Sequence, residues 1–395
     1  MKCKVNIKEL KGAIKLHRLT IGKNLFILSG IKLDQEEGHI KIYSTNLEDC
    51  LSSKIKCEIY PSNTKKSIIV EYKTLKNIVD NYPEEFIDLE VLEEELIKDK
   101  TEVITPGHYD DIKHEYIADI TETKKIKIVE YKLKVGKFEL ETMPEEEYPV
   151  LPEININSIK STISFSEFIK VLTKMKDFPS RDSSRVILTT FHCNCSDNSI
   201  VSTDSYKLAK VFLDFNCEGI FNFSLECFNI IKNLKGEEVI INFDDNLIKF
   251  TIGDIIIITR NIQGKYPKYN QLIPDEFLHE FSFNSEAMIK RLNTILKVFK
   301  TDKNESDIPV TLTFFNKEVT IAASFKTIGN YKDSIACNIT PGLMEPIVMA
   351  FTPLYLIQCL DQFEEAIIHF NESLKPVVIK ENNNELYLLM PIRIN

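Results

Sequence analysis

The sequence predicts an α+β protein of three similar modules, each with two helices packed on antiparallel strands. Three observations lead there. Each third of the chain opens with an amphipathic helical pattern. A β-rich run interrupted by a polar turn follows, and a second helical pattern then leads into a hairpin. A chain of 395 residues is also too long for one ordinary domain.

The opening helices are expected at Lys8 to Ile21, Ser166 to Phe178 and Ser285 to Lys300. Apolar residues recur there at helical spacing, as in Leu10, Ile14 and Leu16, or Phe168, Val171, Leu172 and Met175. The interrupted β runs are 40–59, 198–215 and 317–339. Second helices are expected at Tyr72 to Tyr82, Ser224 to Leu234 and Thr352 to Gln362. In the last, Pro353 suits a first helical turn and Thr352 suits its cap. The closing hairpins are FIDLEVLEEELI, EVIINFDDNLIKFTI and AIIHFNESLKPVVIK, the second turning through Asp244, Asp245 and Asn246.

The first two modules end in proline-broken segments, MPEEEYPVLPE (143–153) and IQGKYPKYNQLIPDE (262–276). They place the module boundaries near 155 and 279, giving 1–155, 156–279 and 280–395. Residues 96–125 have no counterpart in the other thirds and read as a polar surface insertion in the first module. His108 and His114 with Asp110 and Asp111 offer metal donors there, but the acidic, turn-rich setting favours a solvated excursion.

Composition sets limits. Hydrophobic residues are 43% and charged residues 27%, a globular balance. No apolar run approaches the roughly 20 residues of a membrane helix. The charged start MKCKVNIKELKG lacks a signal-peptide core, so a cytoplasmic protein is expected. Nine scattered cysteines form neither a disulfide framework nor paired CxxC sites. The nearest metal-like run, His192-Cys193-Asn194-Cys195, lies on an expected strand and reads as buried thiols, so no metal or other cofactor is expected.

The net charge of -10 argues against simple coating of nucleic acid, until the positions of the cations are considered. The helical segments carry Lys8, Lys11, Lys15 and Arg18; Lys73 and Lys76; Lys170, Lys174 and Lys176; Lys232 and Lys235; and Lys290, Arg291, Lys297 and Lys300. Only 352–362 has no lysine. Lysine is common on any solvated helix face. A bias repeated across modules instead suits a surface that holds mobile charges near phosphates of any sequence. No recognition-helix or base-stacking signature supports base readout. No nucleophile elbow, HExxH, Walker loop or GxGxxG supports catalysis, and Asp204 before Ser205 and Tyr206 reads as the anchor of its own turn.

Five segments in register resemble one family, the β subunit of bacterial DNA polymerase III, the sliding clamp. They are LFILSG (25–30), FELETMPEEEYPVLPE (138–153), STDSYKLA (202–209), GKYPKYNQLIP (264–274) and the near-terminal MPIR (390–393). The resemblance implies the DNA clamp fold and a head-to-tail, ring-shaped homodimer enclosing duplex DNA without sequence preference. The protein would be a processivity factor rather than an enzyme, with the polymerase III α subunit, the clamp loader and other clamp-binding proteins as partners and no membrane association. The helix cations Lys8, Lys11, Lys15, Lys73, Lys76, Lys170, Lys174, Lys232, Lys235, Lys290 and Arg291 would then line the DNA channel.

By position, the resemblance implies a dimer interface at Phe138 and Leu140 with Val298 and Phe299, core packing being the competing reading of the last two. It implies a partner-peptide pocket of Leu188, Thr203, Tyr206, Lys207, Leu208, Pro267 and Leu272 with Tyr355, Leu374, Pro376, Leu388, Met390, Pro391, Ile392 and Arg393. Apolar walls with adaptable methionine and leucine suit leucine or phenylalanine anchors. Ser205 replaces a family glycine, Tyr206 a histidine and Lys207 an arginine; Gln271 stands where arginine is usual, and Asn395 is extra. A divergent clamp acting mainly as a protein-interaction platform is the alternative function.

Overall fold

The computed structural model describes residues 1–105, 108–110, 115–117, 120–155, 158–274, 276–299, 309–325, 329–339, 345–381 and 384–393, without the side chains of 100, 102–105, 108–110, 115–117, 120, 122, 325 and 339. These residues fall into two compact units. One is 1–152 with 254–257, the other 153–253 with 258–395.

In the first unit, helix α1 (Ile7–His17) is capped by Asn6, whose side chain accepts from the Lys8 and Glu9 amides. Helix α2 (Tyr72–Asn81) packs on it. Strand Lys2–Asn6 pairs antiparallel with Asp49–Ile59 and with Phe86–Thr105. Strand Gly30–Glu36 lies between His39–Thr45 and Ser67–Glu71. Leu10 and Ile14 of α1 and Leu75 and Val79 of α2 close the core over Ile31, Leu33, Ile42 and Leu89. His17 is fully buried but satisfied, with Nδ1 2.6 Å from Ser44 Oγ and Nε2 2.9 Å from Ser53 Oγ. Burial lowers its pKa to about 3, so the imidazole is neutral and serves as a link between helix and sheet.

Two expectations need correction here. FIDLEVLEEELI is not a hairpin but part of one strand, Phe86–Thr105, whose partner is Ile120–Val135. The 96–125 segment is therefore largely a two-stranded ribbon, pairing Leu96 with Ile128, Ile97 with Lys127 and Thr101 with Thr123. Cross-strand ion pairs Lys98–Glu130 and Lys132–Glu94 brace it. His108–Asp110 pairs with Glu115–Ile117 beyond it. His114 and Asp111, and the side chains of His108 and Asp110, lie outside the described residues.

The second unit contains α3 (Phe165–Met175), α4 (Leu225–Ile231), α5 (Ser285–Val298) and α6 (Pro353–Leu360). Thr352 occupies the cap of α6, but its side chain makes no capping hydrogen bond. A nine-stranded antiparallel sheet runs 220–224, 190–194, 199–203, 207–212, 385–389, 377–379, 365–370, 279–284 and 338–339. Val310–Phe315 centres a smaller sheet with Glu318–Phe325 and Ile347–Phe351. The Asp244 turn forms as expected, its carboxylate accepting from the Asn246 and Leu247 amides at 2.8 and 2.9 Å. Phenylalanines fill both halves of the core: Phe168 packs on Phe223 and Phe250, and Phe281 on Phe314 and Phe370.

None of the nine cysteines is joined in a disulfide. Burial pushes the Cys193 thiol well up and Cys359 to about 12, which makes both poor ligands. His192 is stacked on Tyr266 at 4.1 Å and bonded to Asn222. Among the described residues no helix is long and apolar enough to cross a membrane.

Glu145, in the segment MPEEEYPVLPE, accepts from Ser67 Oγ at 2.7 Å and pairs with Lys65 at 2.7 Å and Lys32 at 3.0 Å. These partners, Lys65 foremost, lower its pKa to about 2. The stabilisation is full above the ordinary carboxylate range and is lost as pH falls through about 2. Urea unfolding of Glu145→Gln is expected to show a loss of roughly 1 kcal/mol at neutral pH, after discounting for solvent screening. The gap to wild type closes as pH falls to about 2; a gap independent of pH would show that the carboxylate charge is not the source.

Candidate functional site

The site is built around the turn joining strands Ser199–Thr203 and Lys207–Phe212. Asp204 Oδ1 accepts from the amides of Tyr206 and Lys207, both at 2.9 Å. Thr203 Oγ1 donates to the Lys207 carbonyl at 2.7 Å and accepts from the Ser205 amide at 3.1 Å. Ser205 has φ +82°, a left-handed conformation in which glycine is unstrained. Its hydroxyl accepts from Arg185 Nη1 at 2.9 Å.

The chain's last described residues cross this turn. Lys207–Val211 pairs with Glu385–Leu389, Lys207 opposite Leu389 and Leu208 opposite Leu388. The Met390 amide then donates to the Tyr206 carbonyl at 2.9 Å, and the Ile392 amide to Ala350 at 2.8 Å. The Tyr206 ring is exposed and stacks on Tyr355, centroids 6.2 Å apart. Strand alternation sorts the side chains by face. Leu208 and Leu388 join Val201 and Tyr269 in a buried cluster edged by Tyr266, Ile273, Leu386 and Met390.

Lys207 lies on the opposite face and is only 3% exposed. Its ammonium donates to the Asp177 carbonyl and to Gln358 Oε1 at 2.6 Å, and lies 3.5 Å from Asp204 Oδ2. The rings of Phe178 and Tyr355 flank it at 5.2 and 4.8 Å. Burial pulls its pKa down and the Asp204 carboxylate opposes this. With its three protons directed at three acceptors, Lys207 pins the turn to α6 and to the loop after α3.

The other expected pocket residues divide by exposure. Leu188 and Thr203 are buried; Pro267, Pro376, Pro391 and Ile392 are half-buried; Leu272, Leu374 and Arg393 are exposed. Pro267 also edges a separate groove of roughly 560 Å³ with His192, Ile220, Tyr266 and Gln271. There Asn222 donates from Nδ2 to the Ile262 carbonyl, so its Oδ1 accepts from His192 Nδ1. The sequence reading missed Tyr266 and Tyr269, although both lie in the motif it quoted. It had no signal for Asp177 or Gln358, which meet Lys207 only through tertiary packing.

Phe138 is 53% exposed on an edge strand, Phe138–Glu141, beside an apolar groove of roughly 570 Å³ with Ile78, Tyr82 and Pro83. Leu140 turns into the core. Val298 is exposed at the end of α5, whereas Phe299 is 3% exposed and packs inward. Lys8, Lys15, Lys73, Lys170, Lys232, Lys235 and Lys290 are exposed. The other four expected channel cations are engaged, Lys11 with the Asp80 carbonyl, Lys76 with the Asp80 carboxylate, Lys174 with Glu385 at 2.6 Å and Arg291 with Asp333 at 2.8 Å, and the exposed Lys232 also donates to Asn229 Oδ1 at 2.6 Å.

Residues 6–152 match the family described as DNA polymerase III beta subunit, N-terminal domain, and residues 270–393 match its C-terminal domain. The chain is 24% identical over 418 residues to a beta sliding clamp of Rickettsia bellii, covering 100% of both. It is 26% identical over 269 residues to that of Chlamydia muridarum, covering 65% of this chain and 71% of the relative. The fold is similar to the DNA polymerase III subunit beta from Pseudomonas aeruginosa, with a TM-score of 0.81 and 17% identity over 100% of both chains.

The geometry makes Lys207 a positioning residue. Lys207→Met is expected to cost about 1–3 kcal/mol by leaving Asp204 and Gln358 without their shared donor. Thermal melts combined with amide exchange at Tyr206 and Met390 check this. An unchanged midpoint and unchanged exchange would remove Lys207 from that role.

Proposed function

Because the chain belongs to the DNA polymerase III beta subunit family, we propose that the exposed lysines of its repeated helices face duplex DNA and that the segment ending at Arg393 receives partner peptides. The protein is a DNA sliding clamp, a non-catalytic processivity factor of DNA replication, with DNA and polymerase as partners. On our reading it has three modules with boundaries near 155 and 279, and two copies join head to tail into a ring. Phe138 and Val298 are the apolar residues exposed at the proposed contacts. Two heterologous contacts of this kind close a dimer.

One observation carries the DNA reading. In a chain with 59 acidic and 49 basic residues, exposed ammonium groups recur on α1, α2, α3 and α5, at Lys8, Lys15, Lys73, Lys170 and Lys290, and just past the end of α4, at Lys232 and Lys235. Such point charges attract phosphate without reading bases, while acid elsewhere repels it. Lys76, Lys174 and Arg291 contribute less, because acidic side chains already hold them.

The peptide reading rests on the apolar cluster around Leu208, Leu388 and Met390 and on the exposed Tyr206 over Tyr355. Apolar anchors of a polymerase α subunit, a clamp loader or another clamp-binding protein would enter there.

Loaded on nicked circular DNA, the protein is expected to be retained, and to run off once the circle is linearised. Equal retention on open-ended DNA would refute encirclement. Changing Lys170, Lys232 and Lys290 to Gln should lower the salt dependence of binding by about 0.9 per lost phosphate contact, leaving sequence preference unaltered. Removing residues 390–395 should abolish peptide binding while sedimentation still shows a dimer; undiminished affinity would displace the pocket from that segment.

A further inference from the structure

The 203–208 turn has a near-copy in the first unit. Thr45, Asn46, Leu47, Glu48 and Asp49 repeat its hydrogen bonds. Thr45 Oγ1 donates to the Asp49 carbonyl at 3.2 Å and accepts from the Leu47 amide at 3.0 Å. Asn46 Oδ1 accepts from the Glu48 and Asp49 amides at 2.9 and 2.7 Å, as Asp204 does from Tyr206 and Lys207. Leu47 has φ +77° against +82° for Ser205.

The flanking 3-10 turns also correspond. Leu25 to Gly30 and Arg185 to Thr190 share one burial pattern, with Leu28 and Leu188 the buried residue of each turn. The Gly22 amide donates to the Leu28 carbonyl as the Ser180 amide does to Leu188. In the second unit this framework brings Arg185 onto Ser205, and the positions matching that pair are Leu25 and Leu47.

What differs is the chemistry presented. Leu25 is 54% exposed, Phe26 76% and Leu47 48%, three large apolar side chains where the other copy has Arg185, Val186 and Ser205. A leucine in left-handed backbone is strained by roughly 1–2 kcal/mol relative to glycine, and strain of this kind persists where the surroundings fix it. Asp49 is buried where the second copy buries Lys207, so the two turns are not interchangeable in charge. Exposed Arg18 and Lys23 sit next in sequence to Leu19 and near Leu25, against the single exposed acid Glu48 of the turn.

We propose that Leu25, Phe26 and Leu47 form a second docking site, which takes a short linear peptide with bulky apolar anchors and acidic flanks. The apolar anchors match the exposed leucine and phenylalanine surface, and the acidic flanks match Arg18 and Lys23. The inference rests on reading the 203–208 turn as part of a partner site, since the first-unit turn is its structural repeat.

The test uses the full chain and the labelled synthetic peptide Asp-Glu-Leu-Leu-Phe-Glu, followed by fluorescence anisotropy. Wild type is expected to bind two equivalents per chain. Phe26→Ser with Leu47→Ser should weaken one of them by about tenfold or more and spare the other. Leu47→Gly, which relieves the backbone strain and keeps the fold, should raise the melting midpoint and still weaken that equivalent. Tyr206→Ala with Met390→Ala should remove only the other one. If the first-unit variants bind like wild type, the second site does not exist. If instead only the Tyr206 and Met390 variant binds like wild type, the earlier pocket reading fails and this site stands. A Lys-for-acid peptide binding equally well would overturn the acidic partner, and concentration-dependent masking of Leu47 without peptide would mean that a second copy covers the surface.

Discussion

The antiparallel ladder between Lys207–Val211 and Glu385–Leu389 is the constraint on which the second unit's site depends. It fuses strands more than a hundred residues apart in sequence into one nine-stranded sheet. Its register decides which side chains share a face. Leu208 and Leu388 meet Tyr269, while Lys207 and Tyr387 meet Phe178 on the reverse. A slip by one residue would exchange those faces, burying Leu208 under α6 and turning the Lys207 ammonium into the apolar cluster. Burial on both faces therefore fixes the pairing, and the pairing places Met390 on Tyr206.

Lys207 shows how such a scaffold tolerates a buried charge. Removing an ammonium from water is costly unless acceptors replace it. Here a carbonyl, an amide oxygen and a carboxylate do so, with two aromatic faces beside them. An arginine fork at this position would project farther and demand planar acceptors. The compact ammonium instead converges on groups from three segments and makes the turn rigid. Tyr206, one residue earlier, remains outside and exposed above Tyr355.

The helices and the tight turns were legible in the sequence because their signals are local. Asp204 and Asp244 carry side chains that bond the backbone within two or three residues, and apolar spacing marks α1 and α3. The resemblance supplied the neighbourhood of Leu208, Leu388 and Met390, which composition alone could not. Features set by distant partners were not legible. The ribbon beyond Leu96 looked like a loop because the sequence there, 97–105 and 120–125, is mostly polar and shows no sustained apolar alternation. The inward turn of Leu140 and Phe299, and the Gln358 contact of Lys207, are consequences of packing and have no local mark.

Amide hydrogen exchange on the full chain tests this account most directly. Amides of 207–212 and 385–389 are expected to open together, with protection close to that of the core strand 190–194. If residues 385–389 exchanged rapidly while 199–203 stayed protected, the terminal segment would be a frayed edge, and the site built upon it would have no fixed floor.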